Sequence, residues 1–214
     1  MGRRRLCRWR IGHETLVRPL SSTGSSVAVP GNRQILFIQG GGEGVHDLWD
    51  EKLVESLRGE LGDGYEVRYP RMPQEHDPSY ARWSPAIRRE LTALDDGTVV
   101  VGHSVGGTIL INMLAARSPE QRLRAIVLIA APFVGVDGWP GDEFELPRDL
   151  GERLAPGVPV HVFQGLEDRV VAPSHADLYA RAIPSALVHQ LPGRDHQLNN
   201  DLSDVAKTIS FGHS

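Results

Sequence analysis

Apolar residues along this chain follow two alternating patterns, short continuous runs and series with helical spacing. The short runs are rich in Val, Ile, Leu, Phe or Tyr and have the length of strands. They cover residues 35–38, 65–69, 98–101, 125–130, 158–163 and 186–191. In the second pattern, apolar residues recur every three or four positions, which is typical of amphipathic helices. These series cover residues 48–61, 87–94, 109–116, 176–183 and 202–209.

The alternation of the two patterns predicts one α/β domain over residues 34–214. Strands that alternate with helices form a mostly parallel sheet, here of about six strands, with helices on both faces in three layers. Right-handed crossovers bring the carboxyl ends of all parallel strands to one edge. Open α/β sheets bind their ligands at that edge. The residues that directly follow each predicted strand are therefore the candidates for chemistry.

The stretch after the third predicted strand has the pattern of a nucleophile elbow. Residues 98–101 are largely β-branched, Gly102-x-Ser104-x-Gly106 comes next, and an apolar helical series begins at Ile109. That order is strand, sharp turn and helix, in which a serine hydroxyl is presented at the end of a strand. Side chains at the two glycines would collide with neighbouring backbone in so tight a turn. Ser104 is therefore the candidate nucleophile.

A serine hydroxyl needs a base to take its proton, and the chain contains nine histidines. His196 directly follows the last predicted strand, so its loop lies at the same edge as Ser104 and is the candidate base. His103 adjoins the serine, but we expect its side chain to project away and to be structural. His46 and His76 lie in loops before the elbow and remain as alternatives.

A third residue must hold the imidazole in its working tautomer and offset its charge. Asp168 follows the strand at residues 158–163, at the edge where the serine and histidine are expected. Its neighbour Glu167 and Asp137, which follows the preceding strand, are the alternatives. The candidate acid is therefore Asp168.

Acyl chemistry also needs N–H donors that are in place before the negative charge develops. One is expected at Val105, at the start of the elbow helix, where the helix dipole favours an anion. The other is expected at Gly41, in the glycine-rich turn of residues 39–44. The same glycines do not fit a dinucleotide-binding motif, because Val45 stands where the third glycine is required, and no P-loop sequence occurs.

No sequence motif for a metal or another cofactor is found. There is no His-Glu-x-x-His pattern and no cluster of cysteines and histidines. His46, Asp47 and Asp50 have at most the spacing of a weak metal site, and we interpret them as the solvated first turn of a helix. The sequence therefore predicts that no cofactor and no metal are needed.

Composition limits which classes of binding partner and which cellular compartment we expect. The chain has 214 residues, 40% hydrophobic and 23% charged, and no apolar run approaches the length of a membrane span. After residue 33 it carries 16 basic and 26 acidic residues, so we expect it to bind neither nucleic acid nor an anionic membrane. Its single cysteine, Cys7, excludes an intrachain disulfide and favours a reducing, cytoplasmic location.

The first 33 residues differ from the rest. They contain seven arginines and one acid, Glu14. Low hydrophobicity and high charge predict a disordered N-terminal extension. Their Arg- and Ser-rich composition also suits a transit peptide, whereas the apolar segment of a secretory signal is missing after residues 3–5.

Residues 133–156 are irregular and too short for a full cap domain. They contain Phe133, Trp139 and Phe144 among prolines, glycines and acids. We predict a small lid in which Trp139 and Phe144 contact the substrate, although these aromatic residues could also simply pack the domain. A small lid predicts an open site that accepts short acyl esters.

Four segments together resemble the α/β-hydrolases: residues 39–42, 102–107, 165–168 and the His196 loop. The resemblance extends from about residue 35 to 211. Within that superfamily, residues 69–73 and 193–197 are similar to the small, nearly cap-less serine hydrolases related to retinoblastoma-binding protein nine and its bacterial relatives. The family pattern differs at two points, since Gln39 stands where many esterases have histidine and two leading antiparallel strands are missing.

The resemblance implies an α/β-hydrolase fold and a triad of Ser104, Asp168 and His196. It implies a cofactor-independent serine hydrolase that cleaves a carboxylic ester, or a related acyl bond, of a small molecule through an acyl-enzyme. One alternative is a protein-interaction module that retains the fold with little or no catalysis. Another is transfer of the acyl group to an acceptor other than water. The sequence leaves the oligomeric state open.

Overall fold

Six parallel strands form one sheet in the computed structural model, which describes residues 33–141 and 143–211. The strands are β1 (Arg33–Ile38), β2 (Tyr65–Arg68), β3 (Thr98–His103), β4 (Leu123–Ile129), β5 (Val160–Gly165) and β6 (Leu187–Leu191). Their order across the sheet is β2-β1-β3-β4-β5-β6, and every neighbouring pair is parallel. The predicted N-terminal extension lies outside the described residues except for Arg33, which begins β1.

Helices cover both faces of this sheet. They are α1 (Glu51–Leu61), α2 (Tyr80–Thr92), α3 (Ser104–Ala116), α4 (Leu150–Arg153), α5 (Ser174–Ala182) and α6 (Ser203–Phe211). Buried side chains of α1 and α6 form one apolar cluster with one face of the sheet, and those of α2, α3, α4 and α5 form the other. The predicted three-layer α/β fold is therefore confirmed.

Side chains that alternate along the strands divide the core between the two faces. In β1, Leu36 and Ile38 belong to the cluster with α2 and α3, whereas Ile35 and Phe37 belong to the cluster with α1 and α6. Successive strand residues point to opposite faces, so a strand buried on both faces must be apolar at nearly every position. This requirement explains why these strands are visible in the sequence as continuous apolar runs.

The structure corrects the predicted start of the first helix. A π-helical turn, Val45–Asp50, precedes α1, and it begins after Gly44 in a left-handed conformation with φ of 70°. The extra residue per turn shifts the apolar positions around the axis. Leu48 and Trp49, which begin the helical series predicted over residues 48–61, are 62% and 52% exposed.

A smaller correction concerns the fifth strand, which begins at Val160 and not at residue 158. Proline has no N–H to donate to a neighbouring strand. Pro159 takes part only through its carbonyl oxygen, which accepts a hydrogen bond of 2.9 Å from the Ile126 N–H.

The predicted lid segment, residues 133–156, is described except for residue 142. It contains α4 and a bridge between Val134 and Trp139, and is otherwise irregular. None of the helices in the described ranges combines the length and the apolarity needed to cross a membrane.

Candidate active site

The turn between β3 and α3 presents Ser104 at the carboxyl edge of the sheet. Ser104 has a φ of +50°, a left-handed conformation that costs energy for a residue with a side chain. The glycines around it allow the turn to be this tight. A Cβ atom at Gly102 would lie 2.5 Å from backbone of α3, and one at Gly106 would lie 1.9 Å from the carbonyl oxygen of Gln39. Both contacts confirm why the pattern needs glycine.

A chain of two hydrogen bonds links the three predicted catalytic side chains. Nε2 of His196, in the loop after β6, lies 3.1 Å from Oγ of Ser104. Nδ1 of the same ring lies 2.8 Å from Oδ2 of Asp168, in the loop after β5. The structure therefore brings together side chains that are 64 and 28 positions apart in the sequence.

The surroundings of Asp168 keep its carboxylate ionised. Its Oδ1 accepts hydrogen bonds from the N–H groups of Val170 and Val171, and its Oδ2 accepts one from Nε2 of Gln164. Burial alone raises the pKa of Asp168, but the bonds from His196 and the backbone outweigh it and hold that pKa below its ordinary value. An ionised Oδ2 requires Nδ1 of the imidazole to donate. Nε2 is then the lone-pair nitrogen that faces the serine.

The alternatives from the sequence are not part of this chain of bonds. Glu167 and Asp137 are both exposed, while the Asp168 side chain is buried. His46 stacks on Tyr69 with ring centroids 4.2 Å apart and bonds to Asp47. His76 is exposed.

The loop that carries His196 is held by its own side chains. Oδ1 of Asp195 accepts hydrogen bonds from the N–H groups of Gln197 and Asn199, at 3.0 and 2.8 Å. Residues 198–200 then form a left-handed turn with φ between 48° and 57°. Such a turn is costly for residues other than glycine, and the completely buried Leu198 anchors it in the core.

The two residues predicted to supply the oxyanion donors, Gly41 and Val105, are close together in space. A Cβ atom at Gly41 would come within 2.9 Å of Cγ1 of Val105. Val105 lies in the first turn of α3, where N–H groups have no partner within the helix and the dipole favours an anion. Binding of one oxygen atom by both N–H groups stays a prediction.

The carboxylate of Glu75 supports the glycine-rich turn, and no pattern in the sequence identified this residue. It accepts hydrogen bonds from Nε2 of Gln39 at 2.8 Å and from the N–H groups of Gly44 and His46. The backbone oxygen of Glu75 also accepts from the N–H of Gly42 at 2.7 Å. The loop after β2 therefore fixes the turn that contains the predicted oxyanion donor.

The two predicted lid aromatics have different surroundings. Trp139 is 38% exposed, and its ring lies edge to face with that of His175 at 5.9 Å. Phe144 is partly buried against the core, and its carbonyl oxygen accepts a hydrogen bond from Asn112. Contact of either residue with substrate stays a prediction.

The interpretation of Asp50 as a solvated residue is wrong, because its side chain is completely buried. It accepts hydrogen bonds from the N–H of Gly40 at 2.7 Å, from Nδ1 of His103 at 2.9 Å and from Nε2 of Gln197 at 3.3 Å. His103 also contacts the candidate base, since its Nε2 lies 3.2 Å from the carbonyl oxygen of His196. Within the described ranges, no group of three potential metal ligands is assembled.

Residues 47–201, well over half of the chain, match the model of a family described as serine hydrolase. No curated protein sequence matches the chain significantly.

Solved structures share the fold at low sequence identity. A serine hydrolase involved in carbazole degradation (the CarC enzyme) is 18% identical with a TM-score of 0.66, covering 84% of this chain and 90% of that chain. The ydeN gene product from B. subtilis is 18% identical with a TM-score of 0.64, covering 84% and 98%. Esterase RhEst1 from Rhodococcus sp. ECU1013 is 15% identical with a TM-score of 0.64, covering 84% and 91%. These likenesses show the α/β-hydrolase fold.

Proposed function

The chain belongs to the serine hydrolase family, and on that premise we propose that it hydrolyses carboxylic esters, or related acyl bonds, of small molecules. The observation that carries the proposal is the ordered chain of hydrogen bonds from Ser104 through His196 to Asp168. A nucleophile, a base and an orienting carboxylate in that order define the chemistry of acyl transfer.

In the first half of the reaction, Oγ of Ser104 attacks the carbonyl carbon while Nε2 of His196 takes the hydroxyl proton. The ionised Asp168 orients the ring and stabilises the imidazolium that forms. The negative charge that develops on the carbonyl oxygen is held by the N–H groups of Val105 and Gly41. Collapse of the intermediate breaks the ester bond, and His196 returns its proton to the departing alcohol.

In the second half, water attacks the acyl-enzyme. His196 takes a proton from that water, a second oxyanion forms at the same N–H groups, and the bond to Ser104 breaks as His196 protonates Oγ. The products are an alcohol and a carboxylic acid. Every proton is transferred by one side chain, so the reaction needs no cofactor.

Exposed apolar side chains favour a substrate with an apolar part. Seven large apolar residues are more than a third exposed in the described part of the chain, and six of them follow strands β1, β4 or β5 at the edge that presents Ser104. They are Leu48, Trp49, Val136, Trp139, Leu166 and Val170. Contiguous exposed apolar surface marks binding sites, and we propose that these side chains contribute to one. The description of RhEst1 as an esterase agrees with this choice of substrate.

The proposed partner is therefore a small acyl substrate, and the proposed location is the cytoplasm. The second point rests on cysteine content, because the chain has one cysteine and cannot form an intrachain disulfide.

Labelling with a fluorophosphonate probe tests the activated serine. We expect the wild-type protein to be labelled and Ser104→Ala to remain unlabelled, because the probe phosphonylates only a serine whose proton is removed by a base. We then expect hydrolysis of short-chain p-nitrophenyl esters, with kcat reduced to a similar residual level in Ser104→Ala, His196→Ala and the double variant. Residues that act as a unit give such non-additive losses.

Two results would contradict the proposal. One is a folded wild-type protein that neither labels nor hydrolyses esters, which would favour a binding role for the fold. The other is additive loss in the double variant, which would show that the two residues act independently. Competition by added alcohols would reveal acyl transfer to an acceptor other than water.

A further inference from the structure

Both ring nitrogens of His103 face oxygen atoms which, with Asp50 ionised, can only accept hydrogen bonds. Nδ1 lies 2.9 Å from Oδ2 of Asp50, and Nε2 lies 3.2 Å from the carbonyl oxygen of His196. A neutral imidazole has one N–H and would leave one nitrogen lone pair against an oxygen lone pair. Two donated hydrogen bonds require the doubly protonated imidazolium. The buried ring therefore carries a positive charge.

Asp50 supplies the matching negative charge. Its side chain is completely buried, and its two oxygens accept hydrogen bonds from Gly40, His103 and Gln197. Burial alone raises the pKa of Asp50 and lowers that of His103. Their mutual attraction and hydrogen bond outweigh burial, so the pKa of Asp50 lies below and that of His103 above its ordinary value.

This ion pair joins three loops that carry the proposed machinery. Gly40 precedes the proposed oxyanion donor, His103 precedes the nucleophile, and the third loop is held at the backbone oxygen of His196 and the side chain of Gln197. The three loops are distant from one another in the sequence, and the buried pair contacts all of them.

Resting on the function proposed above, we propose that His103 and Asp50 are positioning residues. They form a buried imidazolium–carboxylate pair that holds His196 and the glycine-rich turn of residues 39–44 in position relative to Ser104. His196 is then fixed at two points. Asp168 holds its ring through Nδ1, and His103 holds its backbone through the carbonyl oxygen. The rings of His103 and His196 are 5.0 Å apart between centroids.

The proposal makes alignment depend on the charge of His103. The charged or titratable groups that face it are Asp50, Asp168 and His196. When His103 loses a proton at alkaline pH, the hydrogen bond to the carbonyl oxygen of His196 is lost. The reactivity of Ser104 should then decline at a pH set by His103.

Asp50→Asn removes the charge while it preserves the shape of the side chain. One amide oxygen still accepts from Gly40 and from Nδ1 of His103. The new NH₂ group faces Gln197, whose buried Oε1 has no hydrogen-bond partner among the described residues and can accept after the Gln197 amide turns. The variant therefore keeps the packing but leaves His103 neutral.

The experiment measures three quantities on the full-length protein. The first is the protonation state of His103, read from its ¹⁵N ring resonances. The second is the rate constant of fluorophosphonate labelling from pH 6 to 10. The third is the split between kcat and KM on a p-nitrophenyl ester.

We expect His103 in the wild-type protein to hold both protons at pH 7, and labelling to decline at alkaline pH when it loses one. In Asp50→Asn we expect a single ring proton, no such decline, and labelling and kcat that are about ten- to a hundredfold lower at pH 7 with little change in KM. Small displacements of a catalytic group cost rates of this size.

Tyr179→Phe is the matched control. It removes the buried hydroxyl that donates to the Pro132 carbonyl oxygen, and it lies in none of the three loops. Thr108 still donates to the same carbonyl oxygen. We expect its labelling rate and pH profile to match the wild type.

Each outcome decides a separate question. A singly protonated His103 at pH 7, or Asp50→Asn with wild-type rate and pH profile, overturns the positioning role. A variant that loses thermal stability but labels normally when folded also overturns it. If neither protein labels at all, the proposed hydrolase function fails, and the ring resonances still decide the charge of the pair.

Discussion

At the scale of single residues, the candidate carboxylate is distinguished from its neighbour by what each side chain contacts. Asp168 and Glu167 are adjacent in one loop, yet Asp168 is buried against the ring of His196 and Glu167 is exposed. One oxygen of Asp168 is held by the backbone of Val170 and Val171, which leaves the other to face the ring. The fixed carboxylate therefore sets which imidazole nitrogen carries the proton.

Replacing Asp168 by asparagine should invert the tautomer of His196. The amide oxygen would stay on the backbone N–H groups, so the NH₂ group would face Nδ1 and force it to accept. Nε2 would then hold the proton and could not act as a base. We expect kcat for ester hydrolysis to fall about 10⁴-fold.

Glu167→Gln is the control for this change, because it alters the neighbouring exposed carboxylate in the same way. Its kcat should equal that of the wild type. A large loss of kcat in Glu167→Gln with none in Asp168→Asn would reverse the two assignments.

At the scale of elements, the nucleophile turn depends on contact between backbones. The N-terminal turn of α3 packs so closely on the loop after β1 that a Cβ atom at Gly106 would overlap the carbonyl oxygen of Gln39. This approach brings the two proposed oxyanion donors, Gly41 and Val105, next to each other. The close packing of the two backbones therefore determines how near the two proposed donors are to each other.

Gly106→Ala should separate these two elements. We expect a loss of about 3 kcal/mol in the free energy of unfolding, at the upper end of overpacking, together with slower fluorophosphonate labelling. Urea titration and labelling rates measure the two effects.

Gly59→Ala provides a contrast within α1. Gly59 is exposed, and an added Cβ atom there meets nothing within 4 Å. Alanine is a better helix former than glycine, so we expect the same substitution to stabilise by about 1 kcal/mol. Equal effects at both sites would argue against the tight contact at Gly106.

At the scale of the whole molecule, the buried pair of Asp50 and His103 connects loops from the first, third and last strands. The pKa of His103 is raised, so its stabilising contribution is complete below the unfolded value of about 6.5 and is lost as pH rises through the folded value. The pKa of Asp50 is lowered, so its contribution is complete above about 3.9 and is lost as pH falls through the folded value. Together the two charges stabilise the folded protein most between about pH 3.9 and about pH 6.5.

The difference in Tm between the wild type and Asp50→Asn should therefore be largest between about pH 4 and 6.5. It should become smaller at alkaline pH. For a chain of this size, each kcal/mol corresponds to about 2–4 °C in Tm. Thermal melts in matched buffers measure the difference, and a difference that grows steadily from pH 5 to 9 would contradict the charged pair.

The architecture of this protein and the place of its candidate chemistry could be predicted from the sequence. Strands buried on both faces must be apolar throughout, and parallel strands must end at one edge, so periodicity and chain order identified the sheet and its functional edge. The glycines of the elbow could be identified because their spacing around Ser104 is part of the motif. For the same reasons, Ser104, Asp168 and His196 could be proposed from their places after strands.

Which polar residues are buried, and which groups they bind, depends on the tertiary structure. From the sequence, Asp50 is expected to be solvated in the first turn of a helix. The side chain of His103 is expected to project away from the site. Each finds partners only when loops distant in the sequence meet, and the same holds for Glu75 and Gln39. Hydrogen bonds between such loops produce no periodic pattern in the sequence. Their geometry depends on how the loops pack and not on spacing along the chain.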